Sequence, residues 1–414
     1  MTSPADLGLA AEIRGFVEER RETLIRLCAD LVAADSAQPV GDTTRPAAVL
    51  AGFLRAHGLH AELLAAVPEK PNLLSTVEGR APGPHLVLNG HLDTLSPGDP
   101  ADWTVPILDL GRRDGRLTGL GIGNMKAGVA ALALAFVGLA EQRERWSGRL
   151  TLTAVADEVV FGPHGAAWLL DRRPDLLGDA LINAEGPGFM GLAVAEKGLL
   201  WLEIEASAPP GQGMLSRRGS SPIARLAAIG SELDSWNEER APPPAAMAAV
   251  AEHAGEHGLR LSVNLGRIEG GSFVSQVATR ARAEVDVRIP PGLDAATVEA
   301  RVDALARRYP DVTWRRIKGW NPSWTGPDAA VSRCVSAAAE GLRGAPPPPV
   351  VRLPASDAAR WRARGVPSVC FGPQPTLASG VDDYVIEQDA VDCAAIYALA
   401  ALSFLGGASR TEGA

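Results

Sequence analysis

Four short apolar runs, each ending on polar residues, constrain this chain most: HLVLN (85–89), RLTLTAV (149–155), the run around DALIN (180–184) and VPSVCF (366–371). Helical stretches separate them, notably MKAGVAALALAFVGLAE (125–141) and 164–172. Parallel strands need long crossover connections, usually helices. The alternation therefore predicts an α/β domain with a mostly parallel sheet flanked by helices. Further helices are expected over 10–34, 46–58, 327–343 and 388–405. Pro46 suits a first turn and Gly58 a C-terminal stop.

From about residue 195 the texture changes. WLEIEASA (201–208) and VATRARAEVDVRI (277–289) alternate apolar and polar residues, as half-buried strands do, with helical stretches nearby at 221–237 and 294–308. An α+β unit over 195–311 is thus expected as an insertion into an α/β domain made of 1–194 and 312–414. A chain of 414 residues exceeds one ordinary core, so two domains are the default.

The net charge of −9 argues against a nucleic-acid or anionic-membrane partner and leaves a small molecule as the expected ligand. No apolar run is read as long enough to span a bilayer. The cysteines, Cys28, Cys334, Cys370 and Cys393, form no C-x-x-C pair, and the N-terminus lacks a charged-then-apolar leader pattern. Both point to a reducing, cytoplasmic setting.

Open α/β sheets carry their chemistry at the carboxyl ends of the strands. The first run leads into His91 and Asp93, the second into Asp157 and Glu158, the third into Glu185, and the fourth into the loop Gly372–Asp383. One histidine and several carboxylates on one rim point to a metal or acid–base site. Scattered surface charge is the competing reading.

The segment LNGHLDTLSPGDPADWTVPILDLGRRDGRLTGLGIGNMKAG resembles the signature of the zinc aminoacylase/carboxypeptidase family, which includes acetylornithine deacetylase, succinyl-diaminopimelate desuccinylase and glutamate carboxypeptidase. ADEVVFGPHGA, EKG (196–198), EGG (269–271), VRIPPG (287–292), SDAARWRARGVPSVCFGP and VDDYV (381–385) extend the likeness over nearly the whole chain. The resemblance implies a zinc-binding α/β domain with an inserted lid domain that pairs two subunits into a homodimer. It also implies five side chains holding two zinc ions.

Carried over residue by residue, that ligand set is broken. His91 matches the His of G-H-x-D and Glu185 the acidic ligand of the first zinc. The bridging Asp is replaced by Asn124, the second Glu of D-E-E by Val159 and the C-terminal His by Ser379. The lid histidine aligns with Met214, and the lid Asn of G-G-x-x-x-N with Ser275. Glu158 matches the family's general base, Asp93 the carboxylate that orients the His, and Arg288 a lid residue that binds a substrate carboxylate. Asn124, Ser275, Arg288 and Ser379 are thus candidate substrate contacts, with Glu158, His91 and Asp93 as candidate catalytic groups.

Bland readings stand beside these. His91 is a relic hydrogen-bonded to Asp93, Asn124 an N-cap for a helix starting at Met125, Val159 a buried apolar residue, and Arg288 half of a surface ion pair. Three functions follow. The first is a non-canonical, metal-independent enzyme performing condensation, cyclisation, elimination or amide transfer on an amino-acid-like or N-acyl-amino-acid-like molecule. The second is an inactive binding protein, and the third a mononuclear zinc amidohydrolase. No cofactor is expected, or at most one weakly bound zinc on the vestigial site of His91 and Glu185.

Overall fold

The structure is a computed structural model that describes residues 4–375 and 380–406. It divides into two compact units. The first comprises Met1–Val194, Thr325–Pro349 and Ser356–Ala414, the second Ala195–Trp324 and Val350–Ala355.

The first unit is a mixed sheet flanked by helices. Its strand order is Glu62–Ala65, Pro71–Glu78, Arg149–Val155, His85–His91, Ala180–Asn183, Ser368–Cys370 and then the strand beginning at Leu192. The four middle strands are parallel and coincide with the four apolar runs. The strands outside them are antiparallel. Central strands covered on both faces read as continuous apolar runs. NLLSTVE, which ends with exposed side chains, does not.

The helix Ala127–Glu141 is buried on every side from Ala127 to Leu139, which explains its lack of a polar face. With Glu387–Gly406 it forms a helix pair inside the unit. Contrary to the sequence expectation, Ile122–Glu141 and Glu387–Gly406 are long and apolar enough to cross a membrane by length and composition, yet both are mostly buried within the unit. The expected 10–34 helix is two helices, Pro4–Glu19 and Arg21–Ala33, broken where Arg20 leaves helical geometry.

Two glycines let the backbone beside Glu185 sit close to its neighbours. A Cβ on Gly128 would lie 2.7 Å from the Ala184 carbonyl oxygen, and one on Gly372 only 2.0 Å from the same atom. Backbone cannot move aside as a flexible side chain can. Gly372→Ala is therefore expected to cost about 1–3 kcal/mol in a urea unfolding experiment. An unchanged midpoint would show that the Ala184–Glu185 backbone is not held there.

The second unit is α+β. Its sheet runs Ser262–Gly270, Arg280–Ile289, Gly198–Ser207 and Val312–Trp320, all antiparallel. Helices Pro222–Ser235 and Ala295–Ala306 pack Leu226, Ile229, Leu233, Val298 and Val302 against Leu200, Leu202, Val285 and Val287. Asp294 caps the second helix, accepting from the Thr297 amide at 2.7 Å. The unit extends past the expected boundary at 311 because Val312–Trp320 pairs with Gly198–Ser207. The arginines in VTWRRIKGW hid that strand.

Candidate active site at the strand ends

The three inner parallel strands deliver His91, Glu158 and Glu185 to one place. His91 closes its strand and is buried. Its Nδ1 lies 2.7 Å from the Asp93 backbone carbonyl. A carbonyl only accepts, so Nδ1 carries the proton and Nε2 faces the site with its lone pair. Around Nε2 stand Asn124 Oδ1 at 3.2 Å, Glu158 Oε2 at 3.7 Å and Glu185 Oε1 at 3.9 Å. His91, Glu158 and Glu185 each offer one ligand atom within 4.8 Å of the others, and all three residues are buried.

The Asp93 carboxylate stands 3.6 Å from the His91 ring but is engaged elsewhere. It accepts from Gln38 Nε2 at 2.8 Å and from the amides of Glu158 at 3.1 Å and Val159 at 3.2 Å. One carboxylate thus fixes the loop that carries Glu158, while the backbone of the same residue sets the His91 tautomer. Asp157 adopts a left-handed φ of 63° in that loop and binds Lys70 at 3.1 Å and the His164 ring at 3.1 Å. Glu185 follows its strand directly, its amide donating to Asn183 Oδ1 at 2.9 Å.

Asn124 does not cap a helix. Its backbone is non-helical inside the turn Ile122–Lys126, the helix begins at Ala127, and the Asn124 side chain turns to His91. The turn is tied down by Asp383, whose Oδ2 accepts from the Gly123 amide at 3.1 Å and whose carbonyl accepts from Gly119. Asp383 lies in the VDDYV segment. Burial lowers the pKa of Lys126, just after Asn124, to about 8, against the opposing charges of Asp35 and Asp383. Val159 is half-buried, not buried as expected. Ser379 lies outside the described residues. Arg288 and Ser275 belong to the second unit. Arg288 Nε donates to both oxygens of Asp286, at 2.9 and 3.0 Å, and Ser275 is exposed.

One carboxyl was missed in the sequence. Asp357 is buried, and among the described residues its Oδ2 has no hydrogen-bond partner. Burial pushes this carboxyl well above the usual carboxylate range; Glu185 and Asp93 push the same way, while Arg360 and His91 oppose them. The only signal was its place in SDAARW, a stretch otherwise read for its likeness alone. A carboxyl that holds its proton more tightly when folded costs stability as pH rises from the ordinary carboxylate range through its raised value. A tenfold difference in proton affinity is worth about 1.4 kcal/mol. In chelator, Asp357→Asn is expected to be more stable than the parent by about 1 kcal/mol or more at pH 8, and to gain little near pH 4. Equal gains at both pH values in thermal unfolding would contradict this.

Among the described residues, the donor set does not fit two cations. Of the positions the resemblance implies for the second ion, Val159 offers no donor and Asn124 only a neutral oxygen, and a catalytic site ordinarily takes three protein ligands. One cation does fit. A tetrahedral ion with bonds of about 2.0–2.1 Å spaces its ligands roughly 3.3 Å apart, near the 3.2 and 3.9 Å that separate Nε2 from Asn124 Oδ1 and Glu185 Oε1.

Residues 87–403 match the family model described as Peptidase family M20/M25/M40. The chain is 27% identical over 387 residues to a succinyl-diaminopimelate desuccinylase from Xanthomonas euvesicatoria, covering 90% of this chain and 96% of that protein. A desuccinylase from Paracoccus denitrificans is 30% identical over 225 residues, covering 53% of this chain and 56% of its own length. Among solved structures, human carnosine dipeptidase 1 superposes with a TM-score of 0.76 at 15% identity, covering 96% of this chain and 99% of the other. The metallo-carboxypeptidase Sso-CP2 from Sulfolobus solfataricus does so with a TM-score of 0.74 at 15% identity, covering 92% and 99%. The strand-end site, the fold and the match over three quarters of its length make this chain a member of peptidase family M20/M25/M40.

Proposed function

We propose that this chain is an enzyme acting at an amide bond of an amino-acid-like or N-acyl-amino-acid-like small molecule, and that its centre takes one divalent cation where the family pattern implies two. The observation that carries this is the convergence of His91 Nε2, Asn124 Oδ1 and two carboxylate oxygens at 3.2–3.9 Å in a buried place. Two further carboxyls, Asp93 and Asp357, are buried beside them. Buried negative charge of this density needs a cation or protons to balance it.

His91, Glu185 and Asn124 would hold the ion. A divalent cation there supplies polarisation of an amide oxygen and a more acidic water. The rest falls to the chain's own groups. Glu158 takes the proton from the attacking water and returns it to the leaving amine. Asp93 keeps Glu158 in place through the two amides it binds. The Asp93 carbonyl keeps His91 in the tautomer that leaves Nε2 unprotonated.

The cation-free acid–base reading is favoured by the approach of two carboxylates to one imidazole. A proton on Nε2 would make His91 an imidazolium 3.7 Å from Glu158 and 3.9 Å from Glu185, which also balances charge. That pair could drive condensation, cyclisation, elimination or amide transfer without a metal. A panel of N-acyl amino acids and dipeptides, assayed with added zinc, cobalt or manganese, separates the readings. Turnover that saturates at one equivalent of cation is expected. Saturation at two equivalents overturns the one-cation centre, turnover indifferent to chelator supports the cation-free one, and no turnover on any member supports a binding protein.

We place the protein in the cytoplasm, in keeping with its four free thiols, Cys28, Cys334, Cys370 and Cys393. We propose a homodimer formed through the inserted unit, which sedimentation would test.

A further inference from the structure

Three polar side chains share one row of the parallel sheet, one step below the candidate site. Asn89 pairs in register with Thr153 on one neighbouring strand and with Asn183 on the other. All three are 0% exposed, among strands that are otherwise mostly apolar. Asn89 stands two residues before His91 on the same strand, so both side chains leave the same face. Asn183 stands two residues before Glu185 and reaches forward to that residue's amide.

The hydrogen bonds of the row run one way, and donor chemistry fixes each step. A backbone N–H only donates, so Asn183 turns its Oδ1 to the Glu185 amide, at 2.9 Å. Its Nδ2 is left to donate to Asn89 Oδ1 at 2.7 Å. Asn89 Nδ2 then donates to Thr153 Oγ1 at 3.0 Å, and the Thr153 hydroxyl donates in turn to the Leu88 carbonyl at 3.3 Å. Flipping either amide would break two of these bonds.

We propose that Asn183 and Asn89 are positioning residues for the active site: the row, anchored at Thr153, holds the Glu185 backbone so that its carboxylate meets His91. Buried polar groups are costly unless bonded, so such a row calls for a reason. A row that only held strands together would end within the sheet. This one runs past the last residue of the strand Ala180–Asn183 to a residue that offers a carboxylate oxygen to the site. The final bond is an Asx turn, in which an Asn side chain takes the backbone amide two residues on and sets the bend of the chain. From other sides, Gly128 and Gly372 approach the Ala184 carbonyl closely. The Glu185 side chain thus starts from a fixed point, and its Oε1 lies 3.9 Å from His91 Nε2.

The test separates positioning from stability, on the full-length protein. Asn89→Leu, Asn183→Leu and Thr153→Val together make the row apolar at similar size. Replacing both partners of a buried bond is nearly neutral, whereas removing one leaves the other unsatisfied. The triple variant is expected to stay closer to the parent's urea midpoint than Asn183→Leu alone, yet to bind zinc about tenfold or more weakly in competition with a chromophoric chelator. Asn183→Ser, which keeps an acceptor for the amide two residues on, should recover most of that affinity, and it serves as the test if the triple variant does not fold. The zinc arm rests on the one-cation reading. A crystal structure of the variant grown in chelator does not: the Glu185 carboxylate is expected to stand about 1 Å farther from His91. A parent that binds no zinc removes the one-cation reading and leaves the crystal comparison to decide. A folded triple variant that binds zinc as the parent does, or that leaves Glu185 in place, overturns the proposal. So does an Asn183→Ser protein that binds zinc no better than Asn183→Leu.

Discussion

Glu158→Gln is expected to lower turnover of the enzyme's substrate by about 10²-fold or more while leaving binding nearly unchanged. The substitution keeps the size and hydrogen-bonding reach of the side chain but removes the group that exchanges a proton. The backbone of this residue is already fixed by its amide bond to Asp93, so the change should be local. The split between kcat and binding is the decisive readout, because a merely structural role would disturb both. The two readings of the centre differ at a second position. Under the one-cation reading, Glu185→Gln should weaken cation affinity by 10-fold or more, since even residues around a ligand shell contribute that much. Under the cation-free reading it should act only through the charge around His91. If Glu158→Gln retains full turnover, the assignment of the proton carrier is wrong.

The second large effect is a gain. Restoring the family's ligands with Asn124→Asp, Val159→Glu and Ser379→His should take the protein from no second cation to a stoichiometric one, at least a 100-fold rise in affinity for that ion. The backbone supports this. The Val159 amide is bound by Asp93 at 3.2 Å, so a Glu there would spring from a fixed point beside Glu158. Asn124 already places its side-chain oxygen 3.2 Å from His91, and Asp has the same shape. Calorimetric titration of a folded triple variant would measure the gain. A folded variant that binds no more than the parent would mean that these three positions do not face one another.

Much of this was legible from residue pattern, and the failures have physical causes. The four central strands were readable because burial on both faces makes them mostly apolar, with buried exceptions such as Thr151 and Thr153. The flanking antiparallel strands Glu62–Ala65 and Pro71–Glu78 were not, because polar residues break their runs. His91, Glu158 and Glu185 were found from their place at strand ends, and the fold does bring them together. The tie from Asp93 to the amides of Glu158 and Val159 was invisible, since hydrogen bonds to backbone leave no pattern in side-chain types. The bland reading of Asn124 as a helix cap fails because an irregular turn directs it toward the histidine, although its neighbours look helical. Asp357 was missed because a single acidic residue before a short helix resembles an ordinary cap.

The central claim is that the family's second cation site has been lost. The measurement that tests it most directly is elemental analysis of the full-length protein, expressed in zinc-supplemented medium and freed of loosely held metal by gel filtration. The account predicts no more than one zinc per chain, for want of a donor at Val159 and a charge at Asn124. Two zinc ions held tightly per chain would contradict it.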